Sequence, residues 1–297
     1  ICLPLGIPMK AFDIPIRAVG PGSQPDDGAE LQFMDMPKEI HRFDMPRVPE
    51  HAEGRDMAEA RAVVEDTIAA LARWHPDESA YPCIAVTNLA SGPLAVLNEV
   101  LGEGEVSVRV AQPYALRMQE TLFAGVWRVL QLDLRGGLER DTIEICAIPQ
   151  LAIESARRAT RLRLPASTTL PDGMMNAPSL LAEIEYQSQA WRAGAPAHVV
   201  NLSLLPLSPA DHRYLEEMLP VGPVAIMSRG FGNCRITSTA LANVWRVQYF
   251  NNMQTLILDT IEVVDVPEVA LAAPEDLADS SLRLTELALW MAEPCDA

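Results

Sequence analysis

Two stretches of alternating apolar and polar residues, far apart in the chain, carry the same letters. Residues 123–132 read FAGVWRVLQL, residues 241–250 read LANVWRVQYF, and each stretch is followed by a segment that contains DTIE. Short runs of alternation are typical of half-buried β-strands, and Gly136-Gly137 is a turn signal between the first pair. The pattern predicts a hairpin in each stretch, with VWR and DTIE on adjacent antiparallel strands.

The match extends without a gap when the sequence is compared with itself at an offset of 118 positions. Residues 121–150 then align with residues 239–268, and twelve positions are identical: Thr121, Ala124, Val126, Trp127, Arg128, Val129, Leu138, Asp141, Thr142, Ile143, Glu144 and Pro149. Each copy spans about ninety residues, which is the size of a small domain rather than of a solenoid repeat. We therefore predict two tandem duplicated units.

The remaining patterns place helices around these strands. Apolar spacing predicts helices at 57–74, 92–101 and 180–191, a short helix from Ser208, and an amphipathic helix near the end of the chain. CIAVTNL and HVVNLSLL are typical of buried strands that precede the hairpins in each copy. The fold class predicted is α+β, with each unit formed by helices packed on a mostly antiparallel sheet.

The first part of the chain differs from the rest. Eight of the 24 prolines fall within the first fifty residues, and proline at this density opposes regular hydrogen-bonded structure. We expect an extended arm whose apolar anchors either lie on the body or bind a partner: Phe33, Met36, Phe43 and Met45. The predicted organisation is an arm at 1–56, a first unit at 57–160, a linker at 161–177, and a second unit with a C-terminal helix at 178–297.

Composition narrows the class of protein. A hydrophobic content of 49% with 21% charged residues is that of a globular protein, and a net charge of −17 opposes nucleic-acid binding while leaving basic partners open. The sequence shows neither an apolar run long enough to cross a bilayer nor an export signal at its start. Five cysteines without a CxxC pair fit a reducing compartment, so we expect a cytoplasmic protein.

Catalytic signatures are missing from the sequence. It contains no GxxxxGK[ST], GxGxxG or GxSxG motif, and its histidines show no metal-binding spacing, so we predict no enzyme, no cofactor and no metal site. Arg128 and Glu144 lie on adjacent predicted strands, as do Arg246 and Glu262, and each pair could bridge its hairpin. The same residues could support acid–base chemistry, but their presence in both copies favours a structural role.

The largest difference between the copies is SRGFGNCR, which replaces VAQPYALR of the first copy. Gly230 and Gly232 allow a sharp turn there. We predict a partner-binding surface on this loop and the next hairpin: Arg229, Phe231, Asn233, Cys234, Asn251 and Asn252. Two further interpretations of Cys234 stay open, a thiol with its pKa lowered by Arg229 and Arg235 that acts as nucleophile or metal ligand, and a buried structural cysteine.

These phrases together resemble a known family. GPGSQP at 20–25, the Met-Pro-rich arm, FAGVWRV, and above all the block from Ser228 to Ala270 are similar to the HupH/HyaF hydrogenase expression/formation proteins. The resemblance implies an accessory protein, an assembly chaperone for a membrane-bound [NiFe] hydrogenase, that binds the iron–sulfur small subunit precursor before export, with another hydrogenase accessory protein as a second partner. It implies no catalytic residues.

Two alternatives remain open beside the chaperone. One is a maturation factor that handles metal or iron–sulfur clusters with Cys234 as a transient ligand. The other is an enzyme with a duplicated α+β fold, which would need a polar pocket that the sequence does not reveal.

Overall fold

The computed structural model describes residues 54–75, 81–111, 115–158, 161, 163–164, 172–230 and 232–292. The predicted arm, with Phe33, Met36, Phe43 and Met45, lies outside the described residues. Phe231 of the asymmetric loop also lies outside them.

Helices and strands follow one another in the same order in both halves of the described chain. The helices are α1 (Gly54–Leu71), α2 (Ser91–Leu101), α3 (Gln150–Arg158), α4 (Ala177–Ala190), α5 (Pro209–Met218) and α6 (Pro274–Trp290). The strands are β1 (Cys83–Ala85), β2 (Val106–Val110), β3 (Ala115–Glu120), β4 (Val126–Leu132), β5 (Leu138–Ile145), β6 (His198–Asn201), β7 (Val221–Ser228), β8 (Asn233–Thr239), β9 (Val244–Phe250) and β10 (Leu256–Val263). Short 3-10 helices occupy Leu202–Leu204 and Glu268–Ala270.

All ten strands join one antiparallel sheet in the order β1-β5-β4-β3-β2-β7-β8-β9-β10-β6. Each half contributes five strands in the same sequence from edge to centre, and β2 pairs with β7 where the halves meet. The fold is therefore α+β, as predicted, but its sheet is shared by both halves.

The two hairpins predicted from VWR and DTIE are confirmed, and their registers agree. Trp127 lies opposite Glu144 in the first hairpin, and Trp245 lies opposite Glu262 in the second, an offset of 118 residues on both strands. The hairpins thus differ in sequence but share one pairing scheme.

Helices cover the two faces of the sheet unequally. The face that carries Trp127, Val108 and Ile226 is buried along the central strands, and α3 packs on β2 and β7 there. On the opposite face α2 reaches β4, where Arg128 Nη1 donates to Asn98 Oδ1 at 2.9 Å. Helix α5 reaches β9 on that same face, since Arg246 and Glu216 approach to 3.5 Å.

Repeated residues make repeated contacts. The Thr121 hydroxyl donates to the Phe123 carbonyl at 3.2 Å, and the Thr239 hydroxyl donates to the Leu241 carbonyl at 3.3 Å. The Trp127 indole N–H donates to the Cys146 carbonyl at 3.1 Å, and the Trp245 indole N–H donates to the Asp265 carbonyl at 2.9 Å. These identities are therefore explained by turn and strand-end structure.

The predicted bridge between Arg128 and Glu144 is wrong, and so is the one between Arg246 and Glu262. Arg128 instead forms a two-pronged ion pair with Asp141, and Arg246 forms the equivalent pair with Asp259 at 2.7 and 3.0 Å. Directly opposed residues share a face, so Glu144 lies with Trp127, on the face away from Arg128.

A buried carboxylate fastens the chain before α4 to α5. Asp211 forms a capping box with Ser208 and accepts backbone N–H bonds from Met175, Asn176 and Ala177. Burial alone would raise the pKa of Asp211, but these donors hold it well below its usual range. These bonds fix the start of α4 relative to α5.

Candidate partner-binding cleft

A cleft of about 450 Å³ opens at one end of the central strands. It lies where β2 begins and β7 ends, between the sheet and α6. Its wall combines carboxylates, two arginines and apolar side chains: Glu103, Gly104, Glu105, Val106, Glu120, Thr121, Leu122, Ala124, Ser228, Arg229, Gly230, Val269, Leu271, Ala272, Asp276, Asp279, Ser280 and Arg283. Among the described residues, this cleft is far more spacious than two other cavities, of about 10 and 60 Å³, that are lined mainly by residues of the second half.

Glu120 is the most deeply placed acid of the cleft, with 6% of its surface exposed. It is the last residue of β3, and its side chain turns to the Trp127 face because the two residues are directly opposed. Burial raises the pKa of Glu120 to about 7; the Gly125 N–H, which donates to Oε1 at 3.1 Å, opposes this rise, and Glu105 and Asp276 add to it. The carboxyl group is therefore poised between its two forms near neutral pH.

The other acids lie closer to the mouth and outnumber the bases. Glu103, Glu105, Asp276 and Asp279 join Glu120, whereas the wall contains two arginines. One of them, Arg283, is held by Asp279 at 3.7 Å and by the Phe123 ring at 5.2 Å. The cleft therefore favours a cationic ligand over an anionic one.

Backbone packing sets the floor of the cleft. A Cβ added at Gly104 would lie 2.1 Å from the Thr121 carbonyl oxygen, so only glycine fits there. The Gly104 N–H donates to the Glu120 carbonyl at 2.7 Å, which ties the start of β2 to the end of β3. Val106, Leu122 and Leu271 add apolar surface beside the acids. Such a wall suits a chain segment that is both basic and apolar.

The residues predicted from the asymmetric loop lie at the same end of the sheet, but in different settings. Arg229 lines the cleft, and its backbone N–H donates to the Glu105 carbonyl at 3.1 Å. Asn233 pairs with Phe250 at the start of β8, which brings it beside the turn that follows β9. In that turn the Asn251 side chain accepts from the N–H groups of Met253 and Thr255, and Asn252 is exposed.

Cys234 does not share this exposure. Its surface is completely buried, on the face opposite to its neighbour Arg235. The expectation of a lowered thiol pKa is wrong, because burial raises the pKa of Cys234 to about 12, although a hydrogen bond with Tyr249 opposes the rise. In this fold the Cys234 thiol is a packing group with no access to a partner or a metal ion.

Sequence reasoning missed Glu120 and the acids around it. The signal was present, because the offset of 118 residues aligns Glu120 with Ser238, whereas Thr121 and Gly104 align with Thr239 and Gly222. In the second half Ser238 accepts a hydrogen bond from the Val224 N–H at 3.1 Å, and no acid lies at that place. Glu103, Asp276, Asp279 and Arg283 could be assigned to the cleft only from the tertiary structure.

The described residues contain no group of three or more His, Cys, Asp or Glu side chains arranged to hold a metal ion. No helix in the described part of the chain combines the length and apolar character that a membrane crossing requires.

Comparison with known proteins places the chain in a class of hydrogenase accessory proteins. It is 44% identical to the hydrogenase expression/formation protein HoxQ of Cupriavidus necator, with 95% of this chain and 99% of that protein covered. It is 40% identical to HupH of Rhodobacter capsulatus, which carries the same description, over 93% of this chain and 97% of that one. The Hydrogenase-1 operon protein HyaF of Escherichia coli is 32% identical, with coverage of 93% and 96%.

A family model gives the more specific assignment. The model of the HupH hydrogenase expression protein, C-terminal conserved region, matches residues 57–159 and again residues 174–291. The chain therefore belongs to the HupH family of hydrogenase expression proteins. A solved structure of the hydrogenase expression protein HupH from Thiobacillus denitrificans is 31% identical and covers 39% of this chain and 95% of its own, with a TM-score of 0.36.

Proposed function

We propose that this chain is an assembly chaperone in the maturation of a membrane-bound [NiFe] hydrogenase, and that it binds the iron–sulfur small subunit precursor before export. Family membership supports the role in maturation. The observation that carries the binding mode is the cleft beside α6, whose five carboxylates and apolar wall suit a basic and apolar segment. A twin-arginine export signal has this character, with a basic start and an apolar middle.

Electrostatics favours this pairing over others. Cationic side chains entering the cleft would meet Glu103, Glu105 and Asp276 at its wall, and the deeper Glu120 would lose its proton as positive charge approached. Apolar side chains of the same segment would pack against Leu122 and Val269. The chain's charge of −17 would also speed the approach of a basic partner.

Precursor capture tests this proposal. Purified chain is mixed with precursor small subunit that has its signal peptide present or removed, and affinity is measured by calorimetry. We expect binding to weaken when the signal is removed, and to weaken at least tenfold in the Glu105→Gln/Asp276→Asn variant. The matched control, Glu217→Gln/Glu286→Gln, removes two exposed carboxylates outside the cleft and should bind normally. Equal binding by both double variants would refute the cleft as the binding site.

The loop at the cleft mouth offers a second test. Arg229→Ala with Phe231→Ala should leave folding intact and reduce precursor capture and hydrogenase maturation, because arginine and aromatic side chains often dominate interface energies. The matched position to Arg229 in the first copy, Ala111, is already alanine, so the control is Pro113→Ala, which should do little. Normal capture by the loop variant would remove Arg229 from the proposed surface.

The metal-handling alternative is weakened by the burial of Cys234. It makes a separate prediction, which is that Cys234→Ser abolishes maturation while precursor capture stays normal. That outcome, or iron or zinc found in the purified protein, would favour the alternative. The enzyme alternative has a polar cleft available, but the names of the relatives are those of expression and formation proteins.

A further inference from the structure

Two arginines face each other without a counter-charge on the side of the sheet away from the cleft. Arg109 on β2 lies directly opposite Arg117 on β3, and both are exposed. Like charges at directly opposed positions destabilise a sheet. Neither side chain makes an ion pair or hydrogen bond within the described part of the chain, whereas Arg128 and Arg246 on the same face are each paired with an aspartate.

The arginine pair lies in a trough between α2, which packs with α1, and α5, which packs with α4. Directly opposed residues lead across the face from Arg109 through Ala225 and Thr237 to Arg246, which contacts α5. In the other direction Arg128 on β4 contacts α2. At about 4.8 Å per strand, β4 and β9 lie about 24 Å apart, and the two helices leave about 13 Å between them. One helix or one or two extended strands would fit in this trough.

The floor of the trough matches an acidic, partly apolar ligand. Ser107, Ala225 and Met227 are half-buried there, and Arg235 on the same face lies 5.6 Å from the Phe250 ring. Arginine forks bind carboxylates in a bidentate manner, and Met227 supplies an adaptable apolar contact. The half-buried Ala225 and Met227 beside the arginines favour an acidic peptide, which has apolar side chains to pack there, over a polyphosphate chain, which has none.

We propose that this trough is a second docking site, which takes an acidic amphipathic segment of a partner protein. The trough lies on the opposite face of the sheet from the cleft. Gln119 of β3 is on the trough face, whereas the next residue, Glu120, lines the cleft, and successive residues of a strand point to opposite faces. The chain thus offers one surface to a basic segment and another to an acidic segment. The trough stands independently of the proposed hydrogenase role.

Peptide binding to the full chain tests the trough without any hydrogenase component. The probe is a labelled helix-forming peptide of about 18 residues with Glu along one face and Leu along the other, and its counterpart has Gln in place of Glu. Fluorescence anisotropy should detect salt-sensitive binding of the Glu peptide and at least tenfold weaker binding of the Gln peptide. Arg109→Gln/Arg117→Gln should reduce affinity for the Glu peptide at least tenfold without lowering the Tm, because the substitutions remove a pair of like charges from opposed positions.

Control variants separate this site from general charge and from the cleft. Arg135→Gln/Arg163→Gln removes two exposed arginines elsewhere, and Glu105→Gln/Asp276→Asn alters the cleft; both should bind the Glu peptide normally. The proposal is overturned if the Glu peptide does not bind, if the control arginines matter equally, or if a thymidine 20-mer binds more tightly through the same arginines. Failure here would leave the cleft proposal untouched, because the two readouts share no ligand.

Discussion

Trp127 lies directly opposite Glu144 across the β4–β5 hairpin, and both side chains are buried on the same face of the sheet. Burial raises the pKa of Glu144, while a hydrogen bond from Thr142 opposes the rise, and the Oε2 atom has no hydrogen-bond partner within the described residues. In the same register, Arg128 and Asp141 lie on the other face of the sheet, where they form an ion pair. The repeated DTIE phrase thus supplies one acid to each face.

The first prediction concerns the ion pairs of the hairpins. Asp141→Ala should lower the free energy of unfolding by about 3–5 kcal/mol, because it leaves the largely buried Arg128 without its counter-charge. Asp259→Ala should cost less, because Arg246 keeps Glu216 at 3.5 Å. Urea denaturation followed by circular dichroism measures the loss. Glu139→Ala, at an exposed position of β5, should change stability by less than about 0.5 kcal/mol. Comparable losses in all three variants would contradict the assignment of these pairs.

The second prediction concerns Glu120 and pH. Because the folded-state pKa is raised to about 7, native protein holds this proton more tightly than unfolded protein does. The stabilising contribution is complete below the unfolded pKa of 4.5 and is lost as pH rises through about 7. Glu120→Gln, which keeps the acceptor for the Gly125 N–H, should therefore raise Tm more at pH 8 than at pH 5.

Thermal melts across that range measure the effect, with Glu103→Gln as the control. Glu103 lines the same cleft but is exposed, so its removal should shift the melts nearly equally at both pH values. A pH-independent shift for Glu120→Gln would show that the carboxyl group is ionised throughout.

The third prediction concerns thiol reactivity. Cys83 is exposed, whereas Cys146 and Cys234 are buried, and burial raises the pKa of both buried thiols. In native protein Cys83 should react rapidly with a disulfide reagent, and Cys234 should react only on unfolding. Peptide mapping by mass spectrometry after timed labelling distinguishes the two. Rapid native labelling of Cys234 would revive the metal-ligand interpretation.

The fourth prediction concerns two glycines that hold equivalent places in the two halves. A Cβ at Gly104 would meet the Thr121 carbonyl at 2.1 Å, and a Cβ at Gly222 would meet the Ser238 hydroxyl at 2.4 Å and the Thr239 carbonyl at 2.9 Å. Gly104→Ala and Gly222→Ala should each destabilise by about 1–3 kcal/mol, the usual range for overpacking. Gly54→Ala, where nothing lies within 4 Å, should not destabilise, and differential scanning calorimetry compares all three. Unchanged stability of Gly104→Ala would mean that the floor of the cleft is not fixed by this contact.

Most of the secondary structure could be predicted from the sequence. Apolar and polar residues alternate in VWRV and TIEI, and Gly136-Gly137 lies between them; this local pattern is typical of two strands joined by a turn. The match at an offset of 118 residues extended the prediction to the second half. The family resemblance rested on whole phrases and agrees with the family model. The buried, structural interpretation of Cys234 was one of the alternatives that sequence reasoning left open.

Only the tertiary structure decided which residues meet. Shifting a strand by one residue reverses every side chain, so the choice of Asp141 over Glu144 for Arg128 depended on a register that the sequence pattern did not specify. The pairing of β2 with β7 brings Glu105 next to Arg229, although the two residues are far apart along the chain. The same pairing puts Arg109 in an open trough, which no local sequence pattern indicated. By itself the sequence determined most of the strands, the repeated residues and the family, because these depend on local patterns; the cleft and the trough depend on long-range packing.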